Sequence, residues 1–395
     1  MAQFTVETVP ETLPFSERLA RSVMKRYGPD QMKWNYDHGL VIQSVYTVGK
    51  VYGKQDCRDW AKWMYDSKID PQGNIAVYKK ELFNVDLINS GRLLFDLYRE
   101  YGDEQYQAVI EKLRDQLKDQ PRTPSGGFWH KGGYPNQMWL DGLYMYGPFY
   151  ARYAAEYEAG PLQDKSFADI VHQFSLIEQK TRDPKTGLLF HAWDESKKMP
   201  WANPETGLSP HLWGRAVGWY CMALLDVLDF IPDVPAYARY RKTLSDLAAN
   251  MVEPLLKSQD RASGLWYQVM DLPDRKGNYL ESSASAMFIY FFYKLVNKGF
   301  VVDAKTVLEA AAAAFAGLKK LKIDAEPSGA LHLRDICGGA GLGVAPGGNG
   351  VYRDGSFEYY AGEKIRLDDP KGVGPLIFAA LEIESMKEDV VCRVL

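Results

Sequence analysis

Twelve stretches of helical periodicity, alternating strictly between amphipathic and apolar all round, predict an all-α fold. Their links are short at one set of helix ends and long at the other, which makes that fold an (α/α)6 barrel of six helical hairpins. A helix that is apolar on every side must be enclosed, and an amphipathic one can cover it from outside. Six of each in alternation therefore describe an inner ring wrapped by an outer one. No alternation of strand and helix patterns competes with this reading, so α/β folds are disfavoured.

In chain order, FSERLARSVMKRYG (15–28) is amphipathic and outer, while HGLVIQSVYTVGKVYG (38–53) is apolar throughout and inner. CRDWAKWMYDSK (57–68) precedes the inner VDLINSGRLLFDLY (85–98), and YQAVIEKLRDQLKDQ (106–120) precedes MWLDGLYMYGPFYARYAA (138–155). SFADIVHQFSLIEQKT (166–181) pairs with LWGRAVGWYCMALLDVLDFI (212–231), and the long amphipathic 237–259 pairs with SSASAMFIYFFYKLV (282–296). AKTVLEAAAAAFAGLKKL (304–321) and GVGPLIFAALEIESM (372–386) complete the set. Links from an inner to the next outer helix are short, as in YGKQD, EYGDE, PDVPA and NKGF. Links from an outer to the next inner helix are long: 121–135, 182–211, 260–280 and 322–370. In an up-down ring these long links all emerge on one rim, over the N-termini of the inner helices. Gly- and aromatic-rich loops gathered there form a binding mouth by geometry. No linker divides the chain, so residues 1–395 are expected to form a single catalytic domain.

Composition narrows the function. A net charge of -4 offers no basic footprint for nucleic acid and no polybasic run for a membrane surface. The start, MAQFTVETVPETLPF, lacks the basic and apolar regions of a signal peptide, and no apolar run approaches a membrane span. Cys57, Cys221, Cys337 and Cys392 are dispersed, which fits reduced thiols and a cytoplasmic protein. The closing CRVL only formally resembles a prenylation box, because Arg393 stands where an aliphatic residue belongs. The histidines show no metal-ligand spacing, and GGAGLGVAPGGNG (338–350) does not fit a dinucleotide fingerprint. No metal and no organic cofactor are expected.

Asp141, inside the apolar NQMWLDGLYM, is the residue that most needs a reason. With Asn136 as the helix cap it falls about one turn into the third inner helix, just inside the mouth. A carboxylate favoured by the helix dipole is the structural alternative, although such acids usually sit in an exposed first turn. Asp86 opens the second inner helix two residues after Asn84, and Asp37 repeats that N-x-D pattern at the first, where a capping role is favoured. Two carboxylates near the axis are what acid/base work on a glycosidic substrate needs. Desolvation and mutual repulsion would raise one pKa, and helix N-termini push the opposite way. The loops add Trp129, His130 and Lys131 before the Asp141 helix, then His191 and Trp193, then Arg215 with Trp219 one turn further on. An Arg in an apolar helix either bridges an internal acid such as Asp141 or Asp86 or awaits an anionic ligand. Lys, His and Arg around one mouth suggest a substrate carboxylate.

These residues resemble glycoside hydrolase family 105, the unsaturated glucuronyl and galacturonyl hydrolases, with family 88 as a more distant relative. WHKGGYPNQMWLDGLYM, FHAWDE with the following WA, WGRAVGWY, LWYQVMD, NYLESSASAMF and RDGSFEYY carry the resemblance, which runs over most of the chain. It implies removal of the unsaturated uronic acid that a polysaccharide lyase leaves at a non-reducing end, with unsaturated galacturonyl-rhamnose from rhamnogalacturonan (pectin) as the expected substrate. In that chemistry an aspartic acid protonates C4 of the vinyl ether, water adds at C5, and the hemiketal opens to expel the leaving sugar. The resemblance implies Asp141 as acid/base, Asp86 as its partner, and His191, Arg215, Trp219, His130, Lys131 and Tyr36 as residues lining the unsaturated sugar. Unsaturated glucuronyl fragments, or saturated chains cleaved by an inverting (α/α)6 glycosidase, are the competing substrates. A sugar epimerase or a non-catalytic carbohydrate-binding barrel is disfavoured, the latter because it leaves the buried charges without a purpose.

Overall fold

The computed structural model describes residue 4 and residues 6–345 and 350–386. The hairpins run α1 (Phe15–Arg26) and α2 (Tyr36–Val51), then α3 (Gln55–Asp66) and a two-piece inner helix, α4 (Asp86–Asn89) and α5 (Leu94–Tyr101). Next come α6 (Glu104–Asp119) with α7 (Leu140–Tyr157), α8 (Gly160–Thr181) with α9 (Gly214–Leu228), and α10 (Ala238–Ser258) with α11 (Ser282–Asn297). The last outer helix, α12 (Ala304–Leu321), is separated from the inner α14 (Pro370–Glu384) by a short helix, α13 (Phe357–Gly362).

The inner helices touch in the order α2, α4, α7, α9, α11, α14, and α14 returns to α2, so the ring closes as an (α/α)6 barrel. The predicted division of burial holds. Every residue of α9 is buried, whereas α10 buries only Tyr240, Leu244, Leu247, Ala248, Met251 and Leu255, one stripe at a spacing of three to four. Each large apolar side chain so enclosed contributes about 1.5–3 kcal/mol.

The second inner helix is not continuous as expected; a 3₁₀ turn, Ser90–Leu93, interrupts it. Crowding explains the break. A Cβ on Gly39 of α2 would lie 2.7 Å from Ser90 Cα, and one on Gly91 would lie 3.0 Å from the Phe149 ring. Ser90 also spends its hydrogen bonds outside the helix. Its hydroxyl donates to Asn35 O at 2.9 Å, and its carbonyl accepts from Tyr65 Oη at 2.6 Å.

The long links carry the strands: β1 (Gln137–Trp139), β2 (Ala192–Asp194), β3 (Ile323–Ala325), β4 (Leu331–Leu333), β5 (Ile336–Cys337), β6 (Gly343–Val344), β7 (Tyr352–Arg353) and β8 (Ile365–Arg366). They form antiparallel ribbons β1/β2, β3/β4, β5/β8 and β6/β7. Among the described residues no helix is long and apolar enough to cross a membrane. Cys57, Cys221 and Cys337 are free and buried. Cys392 and the CRVL terminus lie outside the described residues.

β1 overturns the expected start of the third inner helix. Asn136 does not cap it. The residue sits in left-handed backbone at φ 59°, strand residues follow, and the helix begins at Leu140 after Trp139. Asp141 is accordingly in the first turn and not a turn deeper.

Candidate active site

The mouth holds a cavity of about 330 Å³ whose wall includes Tyr36, Asp86, His130, Lys131 and Asp141, five of the eight residues expected from the sequence. A larger cavity of about 440 Å³ lies beside it at the N-termini of α2 and α14, with Asp37, His38 and Lys371 in its wall. It contains none of those eight. Asp37 takes the structural role favoured for it, accepting from Asn35 Nδ2 and from the His38 amide, each at 3.0 Å.

Asp86 is held from the link 121–135. That link is tied down by Gln120 Nε2, which donates to Phe83 O and Trp129 O at 2.8 Å, and by the Gly132 amide, which donates to Leu82 O at 2.9 Å. It delivers Lys131 Nζ to 2.6 Å from Asp86 Oδ2 and His130 Nε2 to 3.2 Å from Oδ1. The His130 ring stacks on Trp139 at 4.7 Å and 9°, and Trp139 stacks on Tyr134 at 4.9 Å. Asp86 is therefore an ion-pair partner and not a cap; Asn84 Oδ1 accepts from its amide at 3.1 Å instead. Burial pushes the Asp86 carboxyl up, but Lys131 and His130 outweigh burial and hold it well below the usual carboxylate range.

Asp141 is presented by the β1/β2 ribbon, in which Trp139 opposes Ala192, and the Leu140 amide donates to His191 O at 3.0 Å. This register sets His191 beside the first turn of α7. Its Nε2 lies 3.1 Å from Asp141 Oδ2, without the alignment of a hydrogen bond, and its Nδ1 lies 2.7 Å from Tyr360 Oη. The Asp141 side chain keeps 13% of its surface exposed, whereas His191 keeps none. The acid is at the wall and its histidine is behind it.

Arg215 and Trp219 are buried beneath that wall, at 1% exposure each. Trp219 stacks on Tyr144 at 4.8 Å and meets the edge of Tyr36 at 6.0 Å. The expected alternative of an Arg215 salt bridge to Asp141 or Asp86 is not realised. Arg215 Nη1 donates to Ser283 Oγ at 3.3 Å and to Cys337 O, and the guanidinium lies 4.7 Å over the Trp213 ring. Its Nε and Nη2 have no partner among the described residues. The guanidinium is countered at one remove, since Ser283 Oγ also donates to the buried Glu281 carboxylate at 2.8 Å, and its charge reaches the neighbouring Tyr36 phenol.

Three features escaped the sequence reading. Tyr134 stacks on Trp139, Arg353 and Glu363 stand at the cavity wall, and Tyr360 bonds His191. Tyr134 lies in FWHKGGYPN, and Arg353 and Tyr360 lie in RDGSFEYY, so the motifs were visible although the contacts were not. The Gly-rich stretch enters the site through Gly339 and Ala340, while residues 346–349 lie outside the described residues.

Known proteins share this arrangement of elements. A family 105 glycoside hydrolase from Clostridium acetobutylicum (C. acetobutylicum ATCC 824) is 41% identical and superposes with a TM-score of 0.88, over 95% of this chain and 100% of that one. The unsaturated rhamnogalacturonyl hydrolase YesR of Bacillus subtilis is 31% identical over 271 residues, 67% of this chain and 71% of that protein. An unsaturated glucuronyl hydrolase from Bacillus sp. GL1, only 13% identical, shares the fold with a TM-score of 0.66. Residues 15–387 match the model of Glycosyl Hydrolase Family 88, and the chain belongs to that family of glycoside hydrolases.

Proposed function

We propose that this glycosidase removes the unsaturated uronic acid from the non-reducing end of lyase-generated oligosaccharides by hydrating its C4=C5 vinyl ether, with residues 1–395 acting as one catalytic unit. The observation that carries the reading is the unequal treatment of two carboxylates in one cavity. Asp86 is locked as an anion by Lys131 and His130, whereas Asp141 has an oxygen free of hydrogen bonds facing His191. A carboxylate held as an anion is a poor proton donor, which supports Asp141 as the group that protonates C4. Water then adds at C5, the proton it releases returns to Asp141, and the hemiketal opens to free the leaving sugar. Arg215, with Nε and Nη2 unpartnered among the described residues, supplies positive potential behind Tyr36 for the conjugated carboxylate, and Tyr36, backed by the buried Trp219, forms the apolar side of the sugar site.

The double bond removes the stereocentres at C4 and C5, so galacturonyl and glucuronyl chains yield the same unsaturated residue. Preference therefore resides in the leaving sugar and in the configuration of its linkage at C1. Likeness to the rhamnogalacturonyl hydrolase of B. subtilis favours rhamnose there. The test is the enol-ether ultraviolet absorbance of unsaturated galacturonyl-rhamnose, which should fall on adding the protein and persist with Asp141→Asn. Full activity of that variant, or turnover only of saturated oligosaccharides, overturns the assignment.

A further inference from the structure

His191 is fully enclosed, with the rings of Trp139, Trp213 and Tyr360 at 5.3, 4.8 and 5.9 Å from its own. Its two nitrogens face different groups: Nδ1 meets Tyr360 Oη at 2.7 Å, and Nε2 meets Asp141 Oδ2 at 3.1 Å. Tyr360 is buried, and among the described residues its hydroxyl has no other hydrogen-bond partner. The phenolic proton has one acceptor within reach, the lone pair of Nδ1. A proton on Nδ1 would make Oη the acceptor and turn the phenolic proton toward no acceptor among the described residues, leaving a buried donor unmet at a cost of about 1–3 kcal/mol. Neutral His191 then carries its proton on Nε2.

We propose that Tyr360 is a positioning residue for the reaction at Asp141: its hydroxyl fixes His191 as the Nε2–H tautomer, which places a donor at Oδ2 for the carboxylate left when Asp141 gives up its proton. The proposal rests on the reading of Asp141 as the acid. Tyr360 is itself braced. Gln268 Nε2 donates to its carbonyl at 3.2 Å, Gln268 Oε1 accepts from Trp213 Nε1 at 3.1 Å, and the Trp213 ring stacks on Tyr360 at 6.0 Å. The imidazole cannot turn over without displacing this buried layer. Burial holds the Tyr360 phenol well above its ordinary pKa, so it remains a donor throughout the working range. At 3.1 Å the Nε2–Oδ2 approach is within hydrogen-bond distance but not aligned, so the bond the proposal requires forms on reorientation of the Asp141 carboxylate.

The other charged and titratable groups around the cavity that Asp141 faces are Asp86, His130 and Lys131, the phenols of Tyr36, Tyr134 and Tyr359, and Arg353 and Glu363. Tyr360→Phe leaves all of these in place. On unsaturated galacturonyl-rhamnose this variant should lose roughly tenfold in kcat with KM within about twofold, as when the group orienting a functional histidine is removed. Without the Nε2–H donor the Asp141 carboxylate is less favoured, so the alkaline limb of the kcat/KM profile should move up by about one pH unit. An unshifted profile overturns the proposal. Nitrogen-15 spectra of histidine-labelled wild-type protein give a second readout that needs neither turnover nor a folded Tyr360 variant. His191, assigned by the resonance missing from His191→Gln, should show a protonated Nε2 and a bare Nδ1, and the opposite tautomer overturns the proposal. Wild-type protein inert on the disaccharide overturns the substrate reading instead, and the spectra still decide the tautomer.

Discussion

At Asp86 the surroundings decide the chemistry. Its side chain is 10% exposed, and of its two basic partners Lys131 is the closer at 2.6 Å, with 21% exposure. The folded-state pKa is depressed, so this carboxylate contributes stability that is fully present above its unfolded value of about 4 and is lost as pH falls below that. Lys131→Met removes the ammonium that does most to hold the Asp86 carboxyl down, and the Asp86 pKa should then rise. Two consequences are expected: kcat on the unsaturated disaccharide falls by roughly tenfold or more as Asp86 loses its ion-pair partner, and the acid-induced fall of the urea midpoint, which still begins near the unfolded value of about 4, becomes smaller. Midpoints at pH 7, 5 and 3 for both proteins check this, and parallel pH curves refute it. The N-x-D pattern made Asp86 visible in the sequence but also suggested capping. The ion pair could not be read, because Lys131 reaches Asp86 through a link 45 residues away whose path depends on bonds from Gln120 and Gly132.

Among the elements, the helices were legible and their junctions were not. Inner and outer helices differ in the distribution of apolar residues along tens of residues, a signal the sequence states directly. β1 is three residues long, and its Met138 and Trp139 fit a helical stripe as well as a strand. It becomes a strand only because Ala192–Asp194 comes to pair with it from the next long link. The broken second inner helix has the same kind of origin, since Gly39 of α2 presses on the backbone of Ser90. Gly39→Ala should therefore cost about 1–3 kcal/mol through overpacking at this crossing. Adding Ser90→Gly removes the hydroxyl at 2.6 Å and the Cβ at 3.0 Å but keeps the Cα at 2.7 Å, so the double variant should regain part of that loss. Chemical unfolding of the two single variants and the double one measures the coupling; strictly additive losses would show that the two positions do not press on one another.

On the scale of the whole barrel, the end opposite the mouth is closed by charge. Lys294 of α11 binds Asp226 of α9 at 2.7 Å and Asp229 at 2.6 Å, and Arg92 reaches Asp226 at 2.6 Å from the 3₁₀ turn. Tyr290 stands 2.7 Å from the Lys294 ammonium, and Arg152 of α7 binds Asp96 of α5 at 2.6 Å. These groups line a cavity of about 340 Å³. Burial pushes the Asp226 carboxyl up, but Lys294 and Arg92 outweigh it and bring it to about 2. By the same sign argument, its contribution is present above about pH 4 and fades as pH falls toward 2. Arg215 and Asp226 are eleven positions apart on α9, or about 16 Å at 1.5 Å per residue, so the plug and the mouth are mechanically joined but chemically separate. Lys294→Met should consequently destabilise the barrel by roughly 2–4 kcal/mol, because Asp226 keeps Arg92 and Tyr290 but loses its nearest ammonium. The folded fraction should retain kcat/KM within about twofold, and its acid unfolding should start at a higher pH than that of the wild type. Guanidinium denaturation at pH 7 and pH 4 with activity at saturating folded protein separates the two effects. A variant as stable as the wild type would mean that the network does not hold the inner helices together, and one that is stable but inactive would place the plug in communication with Asp141.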